Sequence, residues 1–500
     1  MIARDKTKKR AGNFFTPPLL AAVTAERCLE ALVSSAGDSQ VPKLPEEILQ
    51  LKIVDPAMGA GFFLLAACDY LTSALQRSLA YYQRSWPADR CAPLAVLLRR
   101  SVFKNCIFGV DKDSLAVHAA RLSVALTADL DLAPIVGEQS PDNGDGMDNF
   151  KIGNALVGQP WSAEIKPSDS PHTQNVACAL HFWPQERSDI RPASAQSALT
   201  SEQSALVDAL AVSFKFFHWQ EAFRSVFDRS RPGFDAVIGN PPWEIEKPNS
   251  REFFGRFDDR FWELSKQAAL ARQKQLCREQ PQIADQWKMH QERFKLLNAW
   301  SKARFKHQGA GDMNAYKLFA ELAYELTRDG GVVSLVVPAG IYSDKGTVKL
   351  RQLFLNRCRW LYLHGYSNSQ GLFDIHRSFK FCVFAAIKGA CTEAIEVSFL
   401  KEAVERKNPQ ECQTANDLHD HAHSKVSKAP EAAVFYSAER LRKFSPRWNC
   451  LFEIESQQEI EILEKCLAHS VSFRDAAQGG WDLRYARELD MTIDSKKFQQ

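Results

Sequence analysis

Short apolar runs that end in Asp, Asn or Gly alternate along this chain with stretches of helical periodicity, the pattern of a parallel sheet with crossover helices. Leu51–Val54 reads as a first strand closed by Asp55. A helix then runs from about Phe62 to Ser78, with Phe63, Ala66, Ala67, Tyr70 and Leu71 on one face. Cys106–Val110 predicts a second strand closed by Asp111, Leu115–Ala125 a second helix, and Phe150–Ile152 a brief third strand. Phe234–Ile238 is a fourth strand, delivering Asn240 at its carboxyl end. An amphipathic helix over Tyr316–Leu326, a turn at Asp329-Gly330-Gly331, and strands at Val332–Val337, Trp360–His364 and Phe379–Ile387 complete the pattern. The predicted fold is α/β, a Rossmann-like, seven-strand, doubly wound sheet. Three stretches, about 76–100, 158–215 and 247–310, fit it poorly and are expected to be helical insertions. After 395 the composition turns polar through Lys428, then partly helical from Ser456 to Ala468. This divides the chain into a domain over 1–395 and a C-terminal linker or small unit over 396–500.

Composition narrows the picture. With 45% apolar residues, a chain of 500 can bury a large core. No apolar stretch approaches the roughly 18 residues of a membrane span. The basic start Met1–Arg10 runs into Asn13-Phe14-Phe15-Thr16-Pro17-Pro18, which is no apolar signal core, so a cytoplasmic location is expected. The 12 cysteines form no Cys-x-x-Cys pair, which suits reduced thiols. His419, His421 and His423, with Cys412 upstream, form the one metal-like cluster. An alternating His run in a polar stretch is usually solvated, and no metal is assigned. The net charge of +3 excludes a uniformly basic nucleic-acid binder. Residues 251–310 nonetheless hold 13 Lys or Arg against 7 Asp or Glu. On charge alone, a solvated helical face and a phosphate-binding face both fit that stretch.

Ligands of such sheets sit outside the carboxyl ends of the strands, where Asp55, Gly59, Gly61, Asp111 and Asn240 all fall. In Asp55-Pro56-Ala57-Met58-Gly59-Ala60-Gly61-Phe62-Phe63 a strand gives way to a glycine turn and a helix. Glycines let the backbone bend tightly and approach a ligand. Leu64 stands where a dinucleotide fingerprint has its third glycine, so the pattern alone is equally a plain turn. Asp111 ends the next strand, where a carboxylate can accept from both ribose hydroxyls of a nucleoside; Asp113 is its rival two residues on.

With these residues in place, Asp55–Phe63 resembles the first motif of the amino-methylating DNA methyltransferases. Gly12-Asn13-Phe14-Phe15-Thr16-Pro17 is similar to their tenth motif, which precedes the first in the gamma class. That resemblance implies S-adenosylmethionine as cofactor, held by Thr16, Asp55, Pro56, Ala57, Gly59, Gly61 and Asp111. Asn154, in Ile152-Gly153-Asn154-Ala155-Leu156, would contact its adenine, although the family more often has Asp there.

Asn240-Pro241-Pro242-Trp243 alone could be a rigid turn. After the other motifs in this order it resembles the fourth, catalytic motif of adenine-N6 enzymes, including type IIG restriction-modification and phage-defence methylases. The chemistry suits the residues. The lone pair of an adenine amine is delocalised into the ring. The Asn240 side-chain oxygen and the Pro241 carbonyl would accept its two hydrogens and favour a more tetrahedral nitrogen. The prolines would fix that carbonyl, and Trp243 would stack on a base flipped out of double-stranded DNA. No strong general base is needed.

Gly311–Phe319 looks like the segment those enzymes carry before their next crossover helix. Leu372–Phe381 resembles their eighth motif, with Phe373 expected to hold the flipped base and Phe379 as the alternative; a plain core role fits either residue equally. A protein or RNA methyltransferase, a non-catalytic DNA-binding subunit, and a cytosine-amine methylase are the competing readings. Asn240 and Asp55 argue against a dead subunit, and Ser usually opens the cytosine tetrapeptide. Glu244–Lys247 only superficially resembles a nuclease signature. Modification without cleavage is therefore expected from this chain, with restriction or defence subunits as its protein partners.

Overall fold

Nearly every apolar run forms a strand. The computed structural model describes residues 16–35, 38–87, 92–129, 146–159, 170–309, 311–402 and 433–469. Its main sheet comprises β1 (Ile53–Asp55), β2 (Ile107–Asp111), β3 (Phe150–Ile152), β4 (Phe234–Gly239), β5 (Thr327–Pro338), β6 (Cys358–Ser367), β7 (Lys380–Lys388), β8 (Ala394–Glu402) and β9 (Val434–Ser437). Their order across the sheet is β9-β8-β6-β7-β5-β4-β1-β2-β3. β3, β2, β1, β4 and β5 are mutually parallel, and β7 inserts antiparallel between β5 and β6. All six residues of β4 are buried, as expected of a strand covered on both faces.

The sheet has nine strands where the sequence pattern predicts seven. The two extra strands begin at Ala394, across the boundary expected at 395: β8 runs parallel to β6, and β9 pairs antiparallel with β8. In β8 the buried residues Ile395, Val397 and Phe399 alternate with polar ones, so the segment lacks the continuous apolar run of the central strands. The Asp329-Gly330-Gly331 turn lies inside β5 as an irregularity. The register jumps there from Phe234↔Thr327 to Ala236↔Val332, with Gly330 at φ +75°.

One face of the sheet carries α1 (Pro18–Val33), α2 (Phe62–Tyr81), α3 (Leu94–Cys106) and α4 (Ser114–Thr127). Leu29, Phe63, Leu71, Phe103 and Val117 there share a core with Ile53, Ile107, Ile238 and Val336. Within the expected 76–100 insertion, α2 runs on through Tyr81 and α3 leads straight into β2. Two further helical units have cores of their own. α5 (Pro171–Phe182) and α6 (Ser201–Phe214) bring Phe182 and Phe214 within 4.2 Å between ring centroids. α7 (Lys266–Glu279) and α8 (Pro281–Arg304) enclose Phe253, Phe254, Phe261, Leu276 and Ile283. α9 (Ala315–Leu326) precedes β5, and α10 (Val348–Arg357) packs Phe354 on Phe384 at 5.3 Å. Phe384 alternates along β7 with Val383 and Ala385 of the first core, so α10 covers the opposite face.

A separate unit begins at Ile454. Its described helix, α11 (Gln457–Ala468), is capped by Ser456, whose hydroxyl accepts from the Glu459 amide at 3.2 Å. No helix among the described residues is long and apolar enough to cross a membrane. The His419–His423 cluster lies outside the described residues, as do Gly12–Phe15. Elsewhere no group of His, Cys, Asp and Glu suited to a metal occurs among the described residues.

Candidate active site

β1 delivers Asp55 to the carboxyl edge of the sheet with only 1% of its surface exposed. Its Oδ1 accepts from the Ala57 amide at 2.9 Å, and Pro56 is buried beside it. Burial pushes the Asp55 carboxyl up to about 8; the Ala57 bond opposes this and the Asp111 charge adds to it. The following turn needs its glycines, because Gly59 and Gly61 have φ of +53° and +84°. Gly61 opens α2, where a Cβ would come within 3.1 Å of the Ala120 Cβ, whereas one on Gly59 would meet open space.

Asp111 ties the second strand to that turn. Its Oδ2 accepts from the Gly59 amide at 2.9 Å and its Oδ1 from the Asp113 amide at 2.8 Å. Burial raises this carboxyl as well. Asp113 instead caps α4, accepting from the Leu115 amide at 3.0 Å. Of the two rivals, Asp111 is therefore the one facing the glycine turn. Asn154 is engaged in its own turn: its amide donates to the Lys215 carbonyl at 2.8 Å and its Oδ1 accepts from Leu156 at 3.3 Å.

β4 ends against β1 so closely that a Cβ on Gly239 would lie 2.5 Å from the Asp55 Oδ1. The next residue, Asn240, donates its side-chain amide to the Thr16 hydroxyl at 3.0 Å, leaving its Oδ1 buried with no hydrogen-bond partner. A buried acceptor left unpaired costs about 1–3 kcal/mol, so this oxygen is an acceptor available to a bound donor. Pro241 is buried and Pro242 half-buried. The Trp243 indole N–H donates to the Val336 carbonyl at 3.3 Å, and its rings lie against Phe373, Phe379 and Phe381.

These aromatics differ in access. Phe373 is 2% exposed, clamped by the buried Asn368, which accepts from its amide at 2.9 Å and donates to its carbonyl at 3.1 Å. Phe379 is 39% exposed and stacks on Trp243 with centroids 5.7 Å apart and planes 12° from parallel. Phe373 thus supports the indole from below, and Phe379 covers it from the solvent side.

The chain leaving the tetrapeptide is held by two elements. Ile245 bridges Asn314, the Glu246 amide donates to the Met313 carbonyl at 2.8 Å, and the Ala315 amide donates to the Glu244 carbonyl at 2.9 Å. α8 adds Asn298, which donates to the Glu246 carbonyl, and Trp300, which donates to the Leu156 carbonyl, both at 2.9 Å. Asn314 carries no signal of a site residue in the sequence pattern, yet its side-chain oxygen is also buried without a partner. Only the pairing of Gly311–Phe319 with the segment after Trp243 could have shown it.

A family model described as Eco57I restriction-modification methylase matches residues 105–275 and 285–373, more than half of the chain. The chain belongs to that family. The matched residues include β2, the tetrapeptide, α9, β5 and Phe373, although not the glycine turn. No curated protein matches the chain in sequence.

Solved structures resemble this Eco57I-family chain at low identity. A modification subunit of a putative type I restriction enzyme from Vibrio vulnificus has 12% identity over 88% of this chain and 57% of its own, at a TM-score of 0.40. A nuclease-deletion mutant of the type ISP restriction-modification enzyme LlaGI has 14% identity over 87% of this chain and 27% of its own, at 0.42. The EcoKI M protein has 13% identity over 98% of this chain and 77% of its own, at 0.41. The chain thus spans less than two thirds of the first two of these proteins.

Proposed function

We propose that this Eco57I-family chain transfers a methyl group from S-adenosylmethionine to the exocyclic N6 amine of an adenine flipped out of double-stranded DNA, within a restriction-modification or phage-defence assembly. The observation that carries this reading is the buried, unpartnered Asn240 Oδ1, fixed by the bond from Asn240 to Thr16 at the end of β4. Family membership supports it.

The residues around the glycine turn fit the cofactor. Open space adjoins Gly59, and two carboxyl groups, the buried Asp55 and the half-buried Asp111, line the adjoining strand ends. Asp111 would accept from the ribose hydroxyls, Asp55 and the 56–61 backbone would hold the remainder, and Asn154 would flank the cofactor adenine. Bound there, the cofactor supplies an electrophilic methyl group on a sulfonium.

The chain's own residues do the rest. Asn240 Oδ1 and the Pro241 carbonyl accept the two amine hydrogens, so the nitrogen lone pair is freed from the ring and aimed at the methyl group. The proton released from the methylated amine passes to water, so no strong base is required. Trp243 would take the base against its indole, in the place where the Phe379 ring now stacks. Such stacking, about 1–3 kcal/mol per base, offsets part of the unpairing cost of flipping.

Transfer of labelled methyl groups to DNA, followed by nucleoside analysis, tests the reading in wild type and Asn240→Ala. Label is expected in N6-methyladenine for wild type and is lost in the variant. Label in N4-methylcytosine, or in protein instead of DNA, overturns the substrate; an unaffected variant overturns the role of Asn240.

A further inference from the structure

We infer that the helical arm formed by α7 and α8 grips the phosphate backbone of the substrate duplex through Lys266, Lys274, Arg278, Lys288 and Lys302. This deepens the DNA-methylating reading and rests on it.

The arm is a concentrated cation on a chain of low overall charge. Residues 266–304 contain nine Lys or Arg and three Asp or Glu, whereas all 500 residues together net only +3. The remainder of the chain is therefore net acidic, and a polyanion is drawn to the arm and not to the molecule at large. The arm's acids are mostly neutralised in place. Glu279 lies 3.7 Å from Arg272, and Glu292 lies 3.4 Å from Lys295. Three of its cations are committed to structure: Arg272 pairs with Asp258 at 2.7 Å, Arg304 with Glu325, and Arg293 donates to the Ser213 carbonyl at 2.7 Å. The five named above are all exposed, and none makes an ion pair among the described residues. A stable solvated helix uses alternating charge along its face; a surplus of one sign without partners repels itself unless an anion joins it.

Geometry ties this surplus to the site. Lys288, Lys295 and Lys302 recur every seven residues on α8, so they form one stripe about 21 Å long at roughly 1.5 Å per residue. That length matches about six base-pair steps at roughly 3.4 Å each. Within the same stretch, Asn298 and Trp300 bond the carbonyls of Glu246 and Leu156, the loops that follow the tetrapeptide and Asn154. The stripe is thus fixed to the two loops that border the reaction site. The arm is also preformed. Trp287 packs 4.9 Å and 5.1 Å from Phe253 and Phe254 over the core that holds α7 against α8, so little ordering cost attends contact with a duplex.

Phosphate contacts position without reading sequence, and each adds roughly 0.9 to the slope of log affinity against log salt. The test is duplex binding by the full chain between 50 and 200 mM salt, comparing wild type with Lys274→Gln/Lys288→Gln/Lys302→Gln. The variant is expected to bind every duplex more weakly, with its slope reduced by about 2.7, so its affinity loss over that salt range is about forty-fold smaller. Its cofactor affinity and thermal midpoint should match wild type. If wild type binds and methylates DNA but the variant keeps the wild-type slope, the inference is overturned. Weakening confined to one DNA sequence, or lost binding to anionic vesicles with DNA binding intact, also overturns it. A wild-type chain that neither binds nor methylates DNA overturns the functional reading and takes this inference with it.

Discussion

Asn240 donates its side-chain amide to the Thr16 hydroxyl at 3.0 Å, joining the segment before α1 to the end of β4 across 224 residues of sequence. In this arrangement the nitrogen is the occupied end of the amide, and Oδ1 is buried with no hydrogen-bond partner. We propose that Thr16 positions Asn240, in addition to the cofactor contact that the motif resemblance implies.

Removing this bond should separate the two roles. Thr16→Val is expected to lower kcat about five- to ten-fold, the worth of one hydrogen bond of roughly 1 kcal/mol, with little change in cofactor Kd. Thr16→Ser should restore it. Asn240→Ala, which removes the acceptor itself, should cost on the order of 100-fold or more in kcat, as loss of a preorganised group at a reacting centre does. A Thr16→Val variant with weakened cofactor binding and unchanged kcat would return Thr16 to the cofactor alone.

Asp55 makes stability depend on pH. Its carboxyl is raised to about 8 by burial, above its ordinary value near 3.9 in an unfolded chain. Between roughly pH 4 and pH 8 the native state therefore holds a proton that the unfolded state has released, and stability falls as pH rises through that window. Thermal unfolding of the cofactor-free protein should show a falling midpoint from pH 5 to pH 8, and Asp55→Asn should flatten that decline. Parallel declines in the two proteins would mean that Asp55 is not the group responsible.

The two phenylalanines beside Trp243 should behave oppositely. Phe373→Ala empties a buried site and is expected to destabilise the fold by about 3–5 kcal/mol. Phe379→Ala removes an exposed ring and should change stability by less than about 1 kcal/mol while weakening capture of an extrahelical base by roughly 1–3 kcal/mol. Denaturant titration and binding to duplexes with a mismatched target adenine would read the two effects. A stable Phe373→Ala variant with impaired base capture would reverse the assignment.

Gly239→Ala tests the contact between neighbouring strand ends. The added methyl would lie 2.5 Å from an Asp55 oxygen that is buried and held by the Ala57 amide. Neither partner has room to retreat, so a loss of about 1–3 kcal/mol in stability and weaker cofactor binding are expected. Calorimetric titration and thermal unfolding matching wild type would show that the strand ends are farther apart.

Much of the site is legible in the chain itself, because its requirements are local. A buried parallel strand needs an unbroken apolar run, and its end needs a polar residue or a glycine that accepts positive φ. Asp55, Gly59, Gly61, Asp111 and Asn240 are therefore visible as strand punctuation. β8 escapes the pattern because its buried Ile395 and Val397 alternate with polar residues, and β9 because it is only four residues long. What the sequence by itself determined is the set of strand-end residues and their order. Only the tertiary structure decided which side chains meet: Thr16 with Asn240, Asp111 with the Gly59 amide, the exposed Phe379 stacked on Trp243 with Phe373 buried beside it, and α8 against the loops bordering the site. Those pairings join residues tens to hundreds of positions apart. They depend on how strands stack side by side, which no local periodicity encodes.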